Sequence, residues 1–150
     1  MDDRISIRRA GIQDLGAIKQ LTDSNRATLG FVFRPALMAG IQRGWILIAE
    51  RDCGELLGFV HYRHRRDVQT TLYEICVVQS LRRQGIGRSL VETLARESAQ
   101  LGKTSIQLKA PVGIPANAFY QKLGFELNRT ESGKKRPLNI WVFPVYQEDD

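Results

Sequence analysis

The chain is poor in cysteine and proline, with two and five among 150 residues. Cys53 and Cys76 cannot build the multi-bridge framework of a small secreted domain. No Cys-x-x-Cys pair suggests zinc, so no metal is expected. Long apolar runs are also missing. The longest extend only a few residues, as in Ile46-Leu47-Ile48-Ala49, whereas about 20 are needed to cross a bilayer. The opening Met1-Asp2-Asp3-Arg4 is acidic and lacks the apolar stretch of a secretory leader. No repeat, low-complexity tract or Pro/Ser-rich linker divides the chain. These absences leave one reduced, cytoplasmic domain spanning residues 1–150, with no membrane partner.

Acidic residues are the minority, 16 Asp+Glu against 22 Lys+Arg, giving a formal charge of +6. Such a balance fits nucleic acid, acidic lipid, an anionic small molecule or solubility alone. Periodicity organises the rest. Ile5 to Arg8 alternates as a short strand. Asp14 is placed to cap a helix carrying Leu15, Ile18 and Leu21 on one face. Phe31 to Ile41 forms a second helical pattern, opened by Pro35 and interrupted by Gly40. Trp45 to Glu50 and Glu55 to Arg63 read as strands around a permissive Asp52-Cys53-Gly54 turn, and Leu72 to Val78 as another. From Gly87, the positions Leu90, Val91, Leu94, Ala95 and Leu101 follow helical spacing up to Gly102. Ser105 to Ala110 alternates again, Ala116 to Leu123 is a short helix stopping at Gly124, and Phe125–Leu127 and Leu138–Phe143 close as strands. The order predicts a mixed α/β domain with a central sheet between helices.

The most informative stretch is Leu72-Tyr73-Glu74-Ile75-Cys76-Val77-Val78-Gln79-Ser80-Leu81-Arg82-Arg83-Gln84-Gly85-Ile86-Gly87-Arg88. A strand feeds a loop, and a long helix starts at its second glycine. The start of a helix presents unpaired N–H groups and partial positive charge, and glycines let an anion approach that backbone closely. Arg82, Arg83 and Arg88 add fixed charge at the same point. A P-loop would end Gly-Lys-Ser/Thr, which is absent. The dinucleotide fingerprint wants a third glycine at position 90, which is Leu90, and an acidic residue on the next strand, which has none. A bare Gly-x-Gly also fits a tight turn before a helix.

The pattern Arg82-x-x-Gly85-x-Gly87 between an apolar strand and an amphipathic helix resembles the acetyl-CoA signature of the GNAT superfamily of N-acetyltransferases. A second segment agrees: Asn117-Ala118-Phe119-Tyr120-Gln121-Lys122-Leu123-Gly124-Phe125 is similar to that superfamily's helix, Gly-Phe, strand landmark. Ile7-Arg8-Arg9-Ala10, with a helix after Asp14, matches its opening. The resemblance covers about nine-tenths of the chain. It implies a central, mostly antiparallel sheet of six or seven strands, about four flanking helices, and a splayed strand pair at the cofactor site.

It also implies roles. Ile75, Cys76 and Val77 would pair with the pantetheine arm of acetyl-CoA, the co-substrate. The amides of Arg83, Gln84, Gly85, Ile86, Gly87 and Arg88, with Arg82 beside them, would hold the pyrophosphate. Tyr120 would protonate the leaving thiolate, a reasonable task for a phenol titrating near 10; it also fits as an aromatic core residue beside Phe119. Asn117 would bond the pantetheine arm or the adenosine end, or cap its own helix. The attacking amine must lose a proton. Glu74, the one carboxylate on the strand entering the loop, shares a face with Leu72, Cys76 and Val78 and is the candidate base, or else an exposed strand residue. Superfamily members often carry a glutamate on the strand before the tyrosine, but Gln107-Leu108-Lys109-Ala110 has none. That departure leaves Glu74 or a water chain.

His61-Tyr62-Arg63-His64-Arg65-Arg66 reads as a polar strand end entering a basic loop, because alternation points His61 and His64 to opposite faces and disfavours shared metal ligation. Cys76 reads as a buried strand cysteine and Cys53 as an exposed turn residue. The expected activity is acetyl transfer from acetyl-CoA to a primary amine by direct attack. Two alternatives stay open: an inactive or other acyl-CoA-binding protein of this fold, or a basic nucleic-acid-binding module, against which stands the lack of an aromatic platform or recognition helix. The amine acceptor is unassigned, and a homodimer through the C-terminal strands is compatible with the pattern.

Overall fold

The computed structural model describes residues 4–29, 31–79 and 85–147. Strand β1 (Ile5–Arg9) leads through a 3-10 turn (Ile12–Asp14) into helix α1 (Leu15–Asp23), a four-residue helix α2 (Arg26–Leu29) and helix α3 (Arg34–Arg43). Strands β2 (Ile46–Arg51), β3 (Leu56–His64) and β4 (Gln69–Val77) precede the long helix α4 (Ile86–Gln100). Strand β5 (Ser105–Pro111), helix α5 (Ala116–Leu123), and strands β6 (Glu126–Glu131) and β7 (Leu138–Pro144) complete the order. The seven strands form one sheet, β1-β2-β3-β4-β5-β7-β6. The pairs β1–β2, β2–β3, β5–β7 and β6–β7 are antiparallel. Strands β4 and β5 are parallel through only three residue pairs, Gln69↔Ser105 to Thr71↔Gln107, while β4 runs on to Val77 and β5 to Pro111.

Two helix starts depart from the sequence expectation in an instructive way. Helix α3 starts at Arg34 rather than Phe31, because Pro35 belongs in a first turn, where a missing N–H costs nothing. Phe33 before it is extended, and both Phe31 and Phe33 are exposed. Asp14 makes no side-chain cap to α1. Its carboxylate accepts the Gly11 N–H at 2.7 Å and both terminal nitrogens of Arg8 at 2.9 Å. Arg8 also donates to Glu50 at 2.7 and 3.1 Å, so one guanidinium ties together β1, the 3-10 turn and β2. The Arg8 hydrogen bonds, aided by the Gly11 amide, hold the Asp14 carboxyl below its ordinary pKa despite partial burial.

Tertiary contacts divide the chain into two units, Met1–Tyr62 with Tyr73–Thr93, and Arg63–Leu72 with Leu94–Asp150. In the first, Leu15 and Ile18 of α1, Leu37 and Ile41 of α3, Ile46 and Ile48 of β2, Phe59 of β3 and Cys76 of β4 form a continuous apolar core. These are the periodic apolar positions of each element, so helix period and strand alternation converge on one volume. In the second, Ile106, Leu108 and Ala110 bury every other residue of β5, and Leu123, Phe125, Ile140 and Trp141 are buried as well. That unit also holds a polar network. His64 bonds Thr70 Oγ1 through Nδ1 at 2.8 Å and Glu97 Oε2 through Nε2 at 2.7 Å, and Thr70 bonds Ser98 at 2.9 Å.

Candidate active site

The end of β4 carries Glu74, Ile75, Cys76 and Val77 in the first unit, the last three buried. Gly58 of β3 makes this segment's position possible. A Cβ there would lie 2.8 Å from the Cys76 carbonyl oxygen and 3.3 Å from Val77 Cα. Those are backbone atoms, so any side chain at 58 forces the strand itself to move. The Val78 N–H donates to the Leu57 carbonyl at 2.8 Å and extends the same support.

Arg82, Arg83 and Gln84 lie outside the described residues. The chain is described again from Gly85, whose φ of 80° is left-handed and whose Cβ position meets no atom of the described residues within 4 Å. The Ser89 N–H donates to the Gly85 carbonyl at 2.9 Å. Ile86, Gly87 and Arg88 form the first turn of a 15-residue helix, at its positive end. A glycine followed at once by a helix start fits a phosphate-bearing cofactor.

Glu74 is mostly buried, its side chain 21% exposed, and its Oε2 lies 2.8 Å from His61 Nδ1. The exposed-strand alternative for Glu74 therefore does not describe this side chain. The Tyr73 ring lies 5.1 Å from the imidazole, centroid to centroid. Sequence reading missed His61, treating it as part of a polar strand end. The available signal was Gly40 in the middle of α3, which leaves space for the ring: a Cβ there would approach His61 Nε2 to 2.6 Å.

The second unit holds Asn117 and Tyr120 on α5. Tyr120 is half-buried, with the Phe119 and Phe125 rings at 6.0 and 6.4 Å. Its carbonyl accepts the Phe125 N–H at 3.1 Å, where α5 stops at Gly124 with φ 104°. Asn117 has all its side-chain hydrogen-bonding capacity in use. Nδ2 donates to the Pro111 and Ile114 carbonyls at 2.9 and 3.0 Å, while Oδ1 accepts from Trp141 Nε1 at 2.8 Å and Asn139 Nδ2 at 3.2 Å. A primary amide has two donors and two lone pairs. The geometry makes the Asn117 side chain a clamp between the β5–α5 loop and β7.

A pocket of about 550 Å³ in the first unit lies among α1, Leu56 of β3 and the residues following β4. Gln20, Ser24, Asn25 and Gln79 supply its polar lining, and Ala17, Leu21, Leu56 and Val78 its apolar lining. His61 and His64 do not form a ligand pair, each being bonded to its own carboxylate. Among the described residues no three His, Cys, Asp or Glu cluster to hold a metal, and no helix is long and apolar enough to cross a membrane. Cys76 is buried and Cys53 exposed.

Comparison with known proteins decides the family. A model described as an acetyltransferase (GNAT) domain matches residues 42–127, more than half of the chain. The chain belongs to the GNAT acetyltransferases. It is thus an acyltransferase, on the seven-stranded mixed fold described above. A curated relative, the 5-NmdU N-acetyltransferase of Pseudomonas phage PaMx11, is 31% identical over 124 residues, covering 81% of this chain and 86% of its own. The solved structure of Ard1 from Thermoplasma volcanium superposes with a TM-score of 0.79 at 15% identity, over 95% of this chain and 99% of that one. PaiA N-acetyltransferase from Thermoplasma acidophilum, solved in complex with coenzyme A, gives 0.76 at 17% identity, over 91% and 98%. Such distant structures speak to the fold; the GNAT match and the curated relative carry the activity.

Proposed function

We propose that this GNAT acetyltransferase moves the acetyl group of acetyl-CoA directly onto a primary amine, with residues 1–150 acting as one catalytic domain. The observation that carries the reading is the sequence of β4, a left-handed glycine at Gly85 and the start of the 15-residue α4. Acetyl-CoA, when bound, supplies the activated thioester. Gly85, Ile86, Gly87 and Arg88, with Arg82, Arg83 and Gln84 from the preceding residues, hold its pyrophosphate. The backbone of Ile75, Cys76 and Val77, beyond the short parallel ladder with β5, holds the pantetheine arm.

The acceptor enters as an ammonium and loses a proton to Glu74, directly or through water. The neutral amine attacks the thioester carbon, the C–S bond breaks, and the thiolate takes a proton from Tyr120; the new amide nitrogen then sheds its second proton, which restores the phenol directly or through water. Asn117 keeps its internal role. The pocket beside α1 takes the acceptor, and its neutral polar lining suits a hydrogen-bonding amine. The curated relative's name makes 5-NmdU the first acceptor to try. Steady-state transfer to a panel containing 5-NmdU, small polyamines and peptide N-termini tests the reading. Thiol release that depends on both acetyl-CoA and an amine supports it, and acetyl-CoA binding with no transfer to any amine favours a non-catalytic acyl-CoA binder.

A further inference from the structure

We infer that His61 is the positioning residue for Glu74, a proposal resting on the reading of Glu74 as the base. An ionised carboxylate can only accept, so His61 donates its Nδ1–H to Oε2 across the 2.8 Å contact. This fixes the tautomer and pins one oxygen, and Oε1 makes no hydrogen bond among the described residues. A glutamate side chain in solution samples many rotamers; a base must present its oxygen within hydrogen-bond reach of the departing proton. A misplacement of about 1 Å in such a group can cost on the order of 100-fold in rate.

The surroundings hold the imidazole in one place. His61 is 8% exposed, although it is polar and sits near a strand end. The Tyr73 ring packs on it at 5.1 Å. Helix α3 passes close enough that a Cβ at Gly40 would be 2.6 Å from Nε2 and 3.1 Å from Cδ2. Glycine is among the poorest helix formers, so one in a helix interior calls for a packing reason. Here the reason is the histidine. The chain from Gly40 to His61 to Glu74 thus runs from a helix interior through a buried ring to the carboxylate beside Ile75–Val77, all within the first unit.

The test compares five variants of the whole protein, using acetyl-CoA with the best acceptor from the panel. Glu74→Gln lowers kcat about 100- to 1000-fold, the usual contribution of a general base. His61→Leu lowers kcat about 10- to 100-fold while the acetyl-CoA-induced rise in melting temperature is kept. His61→Asn places an amide N–H close to the position of Nδ1–H and recovers activity to within about fivefold of wild type. In a Glu74→Gln background, His61→Leu adds no further loss, as expected of residues acting as one unit. Gly40→Ala keeps the imidazole but displaces it, and lowers kcat in the same direction; this variant stands in should His61→Leu not fold. Full kcat in His61→Leu or Gly40→Ala, with Glu74→Gln inactive, overturns the positioning role and leaves the base intact. His61→Asn as inactive as His61→Leu also overturns it, in favour of proton carriage by the ring. Full kcat in Glu74→Gln overturns the base itself.

Discussion

Strand β3 carries two histidines three residues apart, and each meets a glutamate. His61 bonds Glu74 at 2.8 Å in the first unit, and His64 bonds Glu97 at 2.7 Å in the second. The pair chemistry is the same, but the settings differ. Both ring nitrogens of His64 are engaged, and its Thr70 partner is fully buried and bonded in turn to the equally buried Ser98. Such a network, anchored on fully buried Thr70 and Ser98, rigidifies the fold. Glu74 precedes the segment that meets the cofactor in our reading, and one of its oxygens carries no hydrogen bond among the described residues. A His–carboxylate pair is thus not by itself a sign of catalysis; the surroundings of its far ends decide.

Substitutions in the two pairs sharpen that contrast. Glu74→Gln is expected to give the largest effect, the loss in kcat described above, with the melting temperature nearly unchanged. His64→Leu should behave oppositely. It leaves Thr70 and Glu97 without their imidazole partner, at a cost of about 1–3 kcal/mol. For a chain of this size that lowers the melting temperature by roughly 2–4 °C per kcal/mol, with kcat within about twofold. A His64→Leu enzyme that melts normally but turns over slowly would reverse the assignments.

Next in size is Gly58→Ala, which pushes on the Cys76 and Val77 backbone. Because it moves the strand proposed to hold pantetheine, KM for acetyl-CoA should rise about tenfold; an unchanged KM would place that arm elsewhere. The smallest effect belongs to Asp14, which is not among the residues lining the pocket. Its folded pKa is lowered by Arg8, so its contribution is present above the ordinary aspartate value of about 3.9 and fades as pH falls through the lower folded value. Asp14→Asn should therefore be less stable than wild type at pH 7, and the gap in melting temperature should narrow below about pH 4 without reversing. A gap independent of pH would remove the ion pair from the explanation.

Much of this organisation was legible in the sequence because local rules and packing agree. Helix α4 has apolar spacing and a glycine stop, and β5 alternates cleanly, so period alone identifies both. The Gly85-x-Gly87 stretch stands out in the sequence through its arginines and its place between strand and helix, since a bare glycine pair also fits a tight turn. Helix α2 escaped notice, since four residues are too few for a period. Asn117 illustrates the other limit. Its spacing to Tyr120 says which helix face it shares, but not that Trp141 and Asn139, more than 20 residues on, consume its carbonyl. His61 was opaque for a similar reason: its partner Glu74 and its space-maker Gly40 come from different elements, and only the pairing of strands and the passage of α3 bring them together.

The central claim, that the start of α4 holds acetyl-CoA, is tested most directly by thermal unfolding with and without the cofactor, in wild type and in Gly87→Glu. Gly87 lies within α4 and is buried, so glutamate there places bulk and negative charge among the amides proposed to bind phosphate. A ligand that binds only the folded state stabilises it by about 2.7 kcal/mol at a hundredfold excess over its dissociation constant. We predict a clear rise in melting temperature for wild type and none for Gly87→Glu, each read against its own unliganded midpoint. An equal rise in both, or no rise in wild type, would contradict the account.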